Sequence, residues 1–303
     1  MHNERSVQLL YLQHTGDMSL NSTSSYLLDY FCSYNSPKFI PFYTVRIILL
    51  LTVSVLVFYV GHQRWRRQHT FKTASHSDIF TYHVAAMELI WVLGCFLIYY
   101  GTYTNHLVSE TVGSHASRIT YYGEIFFHLL TCVERYLAVV HPITYMSLRN
   151  ARGVRIRNIC IGCVWVLSLG MTCVKVLLPP NYKTVILFCI LAPSIIIISF
   201  CSLSVLCVLI RPGPGEAGGK REMVDQSKLR AFYTITAITC AVWLWVVGFL
   251  VSSVLKESLL LSSTGKCSML VYMVWFNLPS CLVLPLLYLH RAGKLSCCCY
   301  TNK

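Results

Sequence analysis

Ionisable side chains interrupt several long apolar stretches of this sequence, and their depth suggests the chemistry they could do. Glu124 lies 11 residues before Arg135, roughly 16 Å along a helix, and Glu88 lies roughly 15 Å from the basic end of its own apolar run. Both carboxyls therefore fall near the middle of a hydrocarbon core about 30 Å thick. An ionisable group at that depth is costly and turns toward a partner inside the protein. Two such acids could share a proton, since neighbouring like charges resist joint ionisation. They could instead hold a cation, or form a neutral hydrogen-bonded pair with no ion. His128 follows Glu124 by four residues and shares its helical face, which makes it a partner for that acid. Arg46 lies seven residues into the first apolar run, roughly 10 Å deep, and is expected to bend outward to the interface. Arg118 precedes Arg135 by 17 residues, roughly 25 Å. Tyr121 and Tyr122, three and four residues further on, share its face; the arginine favours an anionic group by its charge, and the tyrosines can stack or hydrogen-bond beside it. The bland alternatives are an interhelical anchor and a lipid-facing arginine. At helical spacing, Tyr272, Trp275, Trp243 and Trp245 serve either as pocket walls or as plain packing. There is no phosphate-binding loop, no metal-ligand Cys/His spacing and no nucleophile motif, so no enzymatic reaction is implied.

The elements that must position these groups are membrane helices. Hydrophobic residues make up 55% of the 303-residue chain and charged residues 12%, about half the charged share of soluble domains. Apolar runs cover residues 39–60, 78–100, 111–136, 156–178, 184–210, 231–255 and 269–290. The net charge of +13 does not point to nucleic acid, because the basic residues sit in short loops between these runs, as the positive-inside rule requires. His62–Arg67 forms one such loop; Arg149, Arg152, Arg155 and Arg157 form the second; Lys220, Arg221, Lys228 and Arg230 form the third. The third follows a Pro/Gly-rich linker. Seven crossings put these loops on the cytoplasmic side, the N-terminus outside and the C-terminus inside. The chain divides into an extracellular segment (1–38), a seven-transmembrane helix bundle (39–290) and a cytoplasmic tail (291–303). Residues 1–38 carry the sequon Asn21-Ser22-Thr23, a glycosylation acceptor if outside. Pro142, lacking an N–H and disfavouring helix at His141, should end the third helix.

The run Glu134-Arg135-Tyr136-Leu137-Ala138-Val139-Val140-His141-Pro142 closely resembles the Asp/Glu-Arg-Tyr segment and following "AVVHP" at the cytoplasmic end of the third helix in rhodopsin-like G-protein-coupled receptors. The second run, with His83-Val84-Ala85-Ala86-Met87-Glu88-Leu89, resembles that family's LAxAD-L pattern. Trp165 and Pro193 stand where the family has its fourth-helix Trp and fifth-helix Pro, and Leu284-Pro285-Leu286-Leu287-Tyr288 resembles Asn-Pro-x-x-Tyr with Leu for Asn. The first-helix Asn and sixth-helix Pro of the family are missing. The resemblance implies a receptor that passes an extracellular ligand signal to heterotrimeric G proteins through outward movement of the sixth helix, from the plasma membrane. Arg135 is then the switch, Glu134 its restraint, and Tyr136, Pro285, Tyr288 and one of Trp243 and Trp245 belong to the activation machinery; Asp225 or Glu222 could be an acidic partner on the sixth helix.

The resemblance also places Glu88 opposite Glu124, where relatives bind sodium, with Asn277 and Ser280 as further polar groups; two carboxyls here replace one, to hold sodium or a shared proton. It places Arg118, Tyr121, Tyr122, Tyr272 and Trp275 around the ligand cavity. Glu110 stands where the usual outer disulfide would begin. Cys32 and Cys267, both in outer segments, are expected to pair instead. Cys297, Cys298 and Cys299 beside Arg291 and Lys294 suggest palmitoylation, holding a short cytoplasmic amphipathic helix against the inner leaflet. Two rivals remain: a receptor-like protein that no longer signals, and a polytopic transporter, although no repeated segment is evident.

Overall fold

The computed structural model describes residues 39–68, 76–104, 106–148, 150–177, 180–210, 220–257 and 263–293. Among them are seven long helices and one short one, with no strand: α1 (Phe39–Gln68), α2 (His76–Thr104), α3 (Leu107–Val140), α4 (Pro142–Ser147), α5 (Ala151–Leu177), α6 (Pro180–Ile210), α7 (Lys220–Glu257) and α8 (Ser263–Arg291). Local chemistry sets several boundaries. His106 caps α3, its ring accepting from the Ser109 backbone N–H at 3.4 Å. At the other end His141 leaves helical geometry (φ −126°, ψ 63°) and Pro142 becomes the first residue of α4, where its missing N–H costs nothing. Gly293, at φ +69°, closes α8 in the left-handed conformation that glycine adopts without strain.

α3 is the axis of the bundle, packing against α2, α4, α5, α6, α7 and α8, while α1 lies outside against α2 and α8. The main core gathers around it: Met87, Phe127, Ile125, Leu191, Ile235, Trp245 and Leu284 are all buried there. The outward faces are apolar too, with Ile48, Val55 and Tyr59 of α1 and Val166, Leu167 and Leu169 of α5 exposed. A surface of that kind suits lipid rather than water. α2 and α3 meet almost backbone to backbone, because Gly94 and Gly113 face each other: a Cβ on Gly113 would stand 2.5 Å from the Gly94 carbonyl oxygen. Thr120 adds a cross-link, its hydroxyl donating to the Met87 carbonyl at 3.1 Å.

Five described helices are long and apolar enough to cross a membrane: α1, α2, α5, α6 and α7. The chain is thus a helical membrane protein, although seven such segments were expected. α3 falls short because Arg118, Glu124 and His128 interrupt it. An enclosed helix meets protein rather than lipid, so it tolerates such groups. The described side chains of α8 begin at Trp275. After Tyr288 the chain continues α8 to Arg291 and closes it at Gly293; the rest of the segment in which the amphipathic helix was expected lies outside the described residues.

Candidate functional site

At the cytoplasmic end of α3, Glu134 and Arg135 form an ion pair, Arg135 Nε to Glu134 Oε2 at 3.4 Å, with both side chains largely buried. Tyr145 of α4 donates to the other carboxylate oxygen at 2.9 Å. That contact was not foreseen. The loop read after Pro142 contains a helical turn that brings Tyr145 back, and the proline at a helix-start position was the available signal. Tyr136 leans away toward α6, its ring 5.9 Å from Phe200 and its hydroxyl 3.3 Å from His141 Nε2. On the same side, Asp78 at the start of α2 pairs with Arg64 of α1 at 3.7 Å and with Arg291 of α8 at 3.8 Å. Tyr288 is buried between them: its hydroxyl is 2.9 Å from that of Tyr82, and the Arg64 guanidinium lies 5.3 Å over its ring. Pro285 lies buried one turn above it in α8. The contacts of Arg291 and Tyr288 with α1 and α2 escaped the sequence reading because they join helices distant in the chain, and Arg64–Asp78 because it depends on how two consecutive helices turn toward each other.

A polar cluster occupies the centre of the bundle. Glu88 of α2, Glu124 of α3 and Cys281 of α8 are buried and present ligand-type atoms within 4.8 Å of one another. The depth of the two acids follows from helical rise, and the structure does bring them together. Arg46, expected to bend outward, does the opposite. It is 2% exposed, its Nη2 donates to Cys281 Sγ at 3.2 Å, and its guanidinium lies 4.2 Å over the Trp91 ring. The reason is register: Arg46 shares the inward face of α1 with the buried residues Leu50, Ser54 and Val57. The Cys281 thiol in turn donates to Glu124 Oε2 at 3.3 Å. Among the described residues no N–H, hydroxyl or thiol donor reaches either Glu88 oxygen; the group that faces it is the Glu124 carboxyl. His128 does not take the partner expected for it: its Nε2 pairs with Ser280 Oγ at 3.0 Å. Ser280 is therefore engaged with His128, while Asn277 is buried with its Oδ1 unbonded among the described residues. These residues do not suit sodium, a hard cation that prefers oxygen ligands, since a thiol and a guanidinium share the space.

Toward the outer end, Tyr121 stacks edge-on against Trp245 at 4.8 Å and against Tyr122 at 5.9 Å. Tyr122 is fully buried with its hydroxyl unbonded among the described residues. Arg118 is half-buried. Trp243 and Trp245 part company. Trp245 is 2% exposed and faces α3, whereas Trp243 is 46% exposed and donates to Ser199 of α6 at 3.2 Å. The two part because residues two apart point to nearly opposite sides of a helix. Trp245→Ala should cost about 3–5 kcal/mol, the usual loss for a buried aromatic, and Trp243→Ala far less, as thermal unfolding in nanodiscs would record. Trp275 is 42% exposed. Asn21, Cys32, Cys297, Cys298 and Cys299 lie outside the described residues, as do the side chains of Cys267, Tyr272, Glu222 and Asp225.

No protein-family model matches the chain. A stretch of 105 residues is 30% identical to lysophosphatidic acid receptor 6 of Gallus gallus. The stretch is 33% of this chain and 33% of that relative, so the match spans a third of the relative's length. The chain is therefore a helical membrane protein, similar over a third of its length to a receptor.

Proposed function

We propose that this chain is a seven-helix receptor of the rhodopsin-like kind, which couples an extracellular ligand to a heterotrimeric G protein at the plasma membrane. The observation that carries the reading is the Glu134–Arg135 ion pair at the cytoplasmic end of the central helix, within a motif run that the family uses for the same purpose. The ligand works by binding the open state better than the resting one, which shifts an existing equilibrium. In the resting state Glu134 restrains Arg135. In the open state α7 moves outward and Arg135 is released to the G protein, a role that suits a side chain which stays charged and offers a planar fork of donors. Tyr288, tied to Tyr82 and Arg64, gives α8 a second point at which the two states differ.

The ligand carries an anionic group that meets Arg118, with Tyr121, Tyr122, Trp275 and Tyr272 as walls. The receptor similarity supports this choice, since the relative is named for a phosphate-bearing lipid. The N-terminus lies outside, glycosylated at Asn21 and tied to the outer end of α8 by Cys32–Cys267; the tail is acylated at Cys297, Cys298 and Cys299. The facing carboxyls of Glu88 and Glu124 share a proton. The test is nucleotide exchange on G proteins in membranes that contain the full chain, beside an Arg135→Ala variant at matched abundance. Basal or ligand-driven exchange in the wild type that falls to background in Arg135→Ala supports the reading. Exchange that is unchanged by the substitution sinks it. A chain that reaches the surface, binds an anionic lipid and drives no exchange is instead a receptor-like protein that does not signal.

A further inference from the structure

We infer that Arg46 is a built-in counter-ion for the Glu88–Glu124 pair, so that the centre of this bundle takes no external cation. Three observations converge on it. The guanidinium is buried within the cluster rather than at an interface, bonded to Cys281 at 3.2 Å, and Cys281 bonds onward to Glu124 at 3.3 Å. Trp91 forms a wall 4.2 Å from the guanidinium, a cation–π contact of the kind that holds arginine heads in dry surroundings. Finally, Glu88 and Glu124 are each buried, and together with Cys281 form the only group of three acid, Cys or His ligand atoms brought so close among the described residues. Two acids without a positive charge at this depth would be costly. Arg46 supplies that charge covalently.

The donor chemistry argues the same way. A hard monovalent cation would need several oxygen ligands, whereas here α8 offers the pair a thiol. A sodium ion would also have to sit within a few ångströms of a fixed positive charge. The consequence is a resting bundle whose stability does not track extracellular sodium, with α1, α2 and α8 joined by one side chain and α3 joined to them through Cys281. This inference concerns the bundle itself and stands or falls independently of G-protein coupling.

The test is thermal unfolding of the full-length protein in lipid nanodiscs, in sodium chloride and in choline chloride of equal ionic strength. The wild-type midpoint should move by no more than about 1 °C between the two salts, since a ligand that does not bind the folded state does not stabilise it. Arg46→Gln should lower the midpoint and leave it higher in sodium than in choline, as the vacated charge is filled from solution. Glu88→Gln should cost about 5 °C or more in the wild type, by leaving Arg46 with a weakened partner, and less than about half of that in the Arg46→Gln background, because the two sites are coupled. A clear sodium stabilisation of the wild type overturns the inference, and this arm decides even if Arg46→Gln fails to fold. Strictly additive losses in the two backgrounds also overturn it.

Discussion

Replacing Glu134 with Gln should raise basal nucleotide exchange roughly five- to thirty-fold over the wild type. The reasoning starts from the geometry. Arg135 Nε lies 3.4 Å from the Glu134 carboxylate, with side-chain exposures of 17% and 9%, so water screens the pair far less than a surface ion pair. The glutamine keeps the shape and can still accept the Tyr145 hydroxyl, now at 2.9 Å from the carboxylate, but the charge that holds Arg135 is gone. If the pair is made in the resting state and broken in the open one, its loss shifts the equilibrium by about 1–2 kcal/mol, which corresponds to that range. The rise should vanish in the Glu134→Gln/Arg135→Ala double variant, since the released group is then missing. Exchange is measured per receptor counted at the cell surface, so that a change in abundance does not pass for a change in activity. A Glu134→Gln variant no more active than the wild type would mean that the pair persists in the open state and restrains nothing.

The second large effect is expected at the α2–α3 contact. A Cβ on Gly113 would lie 2.5 Å from the Gly94 carbonyl oxygen, 2.8 Å from Ile98 Cγ1 and 2.9 Å from the Ile98 backbone nitrogen. Two of those three atoms are backbone, so relief requires the helices to separate rather than a side chain to rotate. Gly113→Ala should therefore cost about 3 kcal/mol or more, at the upper end of overpacking penalties, and should lower the unfolding midpoint and the amount of protein at the surface together. Gly162 provides the internal comparison: it lies on α5 with nothing within 4 Å of an added Cβ. There, Gly→Ala should be stabilising by about 0.5–1 kcal/mol, the ordinary helix-propensity gain. Equal effects at the two sites would show that helix propensity, not the close approach, governs Gly113. The contact also bears on the centre, because separating α2 from α3 would pull Glu88 away from Glu124.

What could be read from the chain alone was whatever depends on residues near one another in it. Long apolar runs with basic loops imply membrane helices whatever their arrangement. Pro142 ends α3 through its own missing N–H. The pairing of Glu134 with Arg135 was what the family resemblance implied, and the shared depth of Glu88 and Glu124 follows from counting helical rise. The direction in which a side chain points was a different matter. The residues that follow Arg46 in α1 are almost uniformly apolar, so no polar stripe marks which face meets protein and which meets lipid; only packing against α2 and α8 turned Arg46 inward. Trp243 and Trp245 were equal candidates by type, and only the rotation of α7 against α3 put Trp245 on Tyr121 and Trp243 toward Ser199. Cys281 lies within an apolar run with nothing in the sequence to mark it, and it became the link between Arg46 and Glu124 once α8 was set beside α1 and α3. The sequence by itself thus determined that this is a membrane protein built of helices, and where along each helix its charges lie. The tertiary structure alone decided which of those charges meet, because in a bundle apolar on every side partner choice depends on helix rotation and neighbour, and neither leaves a periodic mark in the sequence.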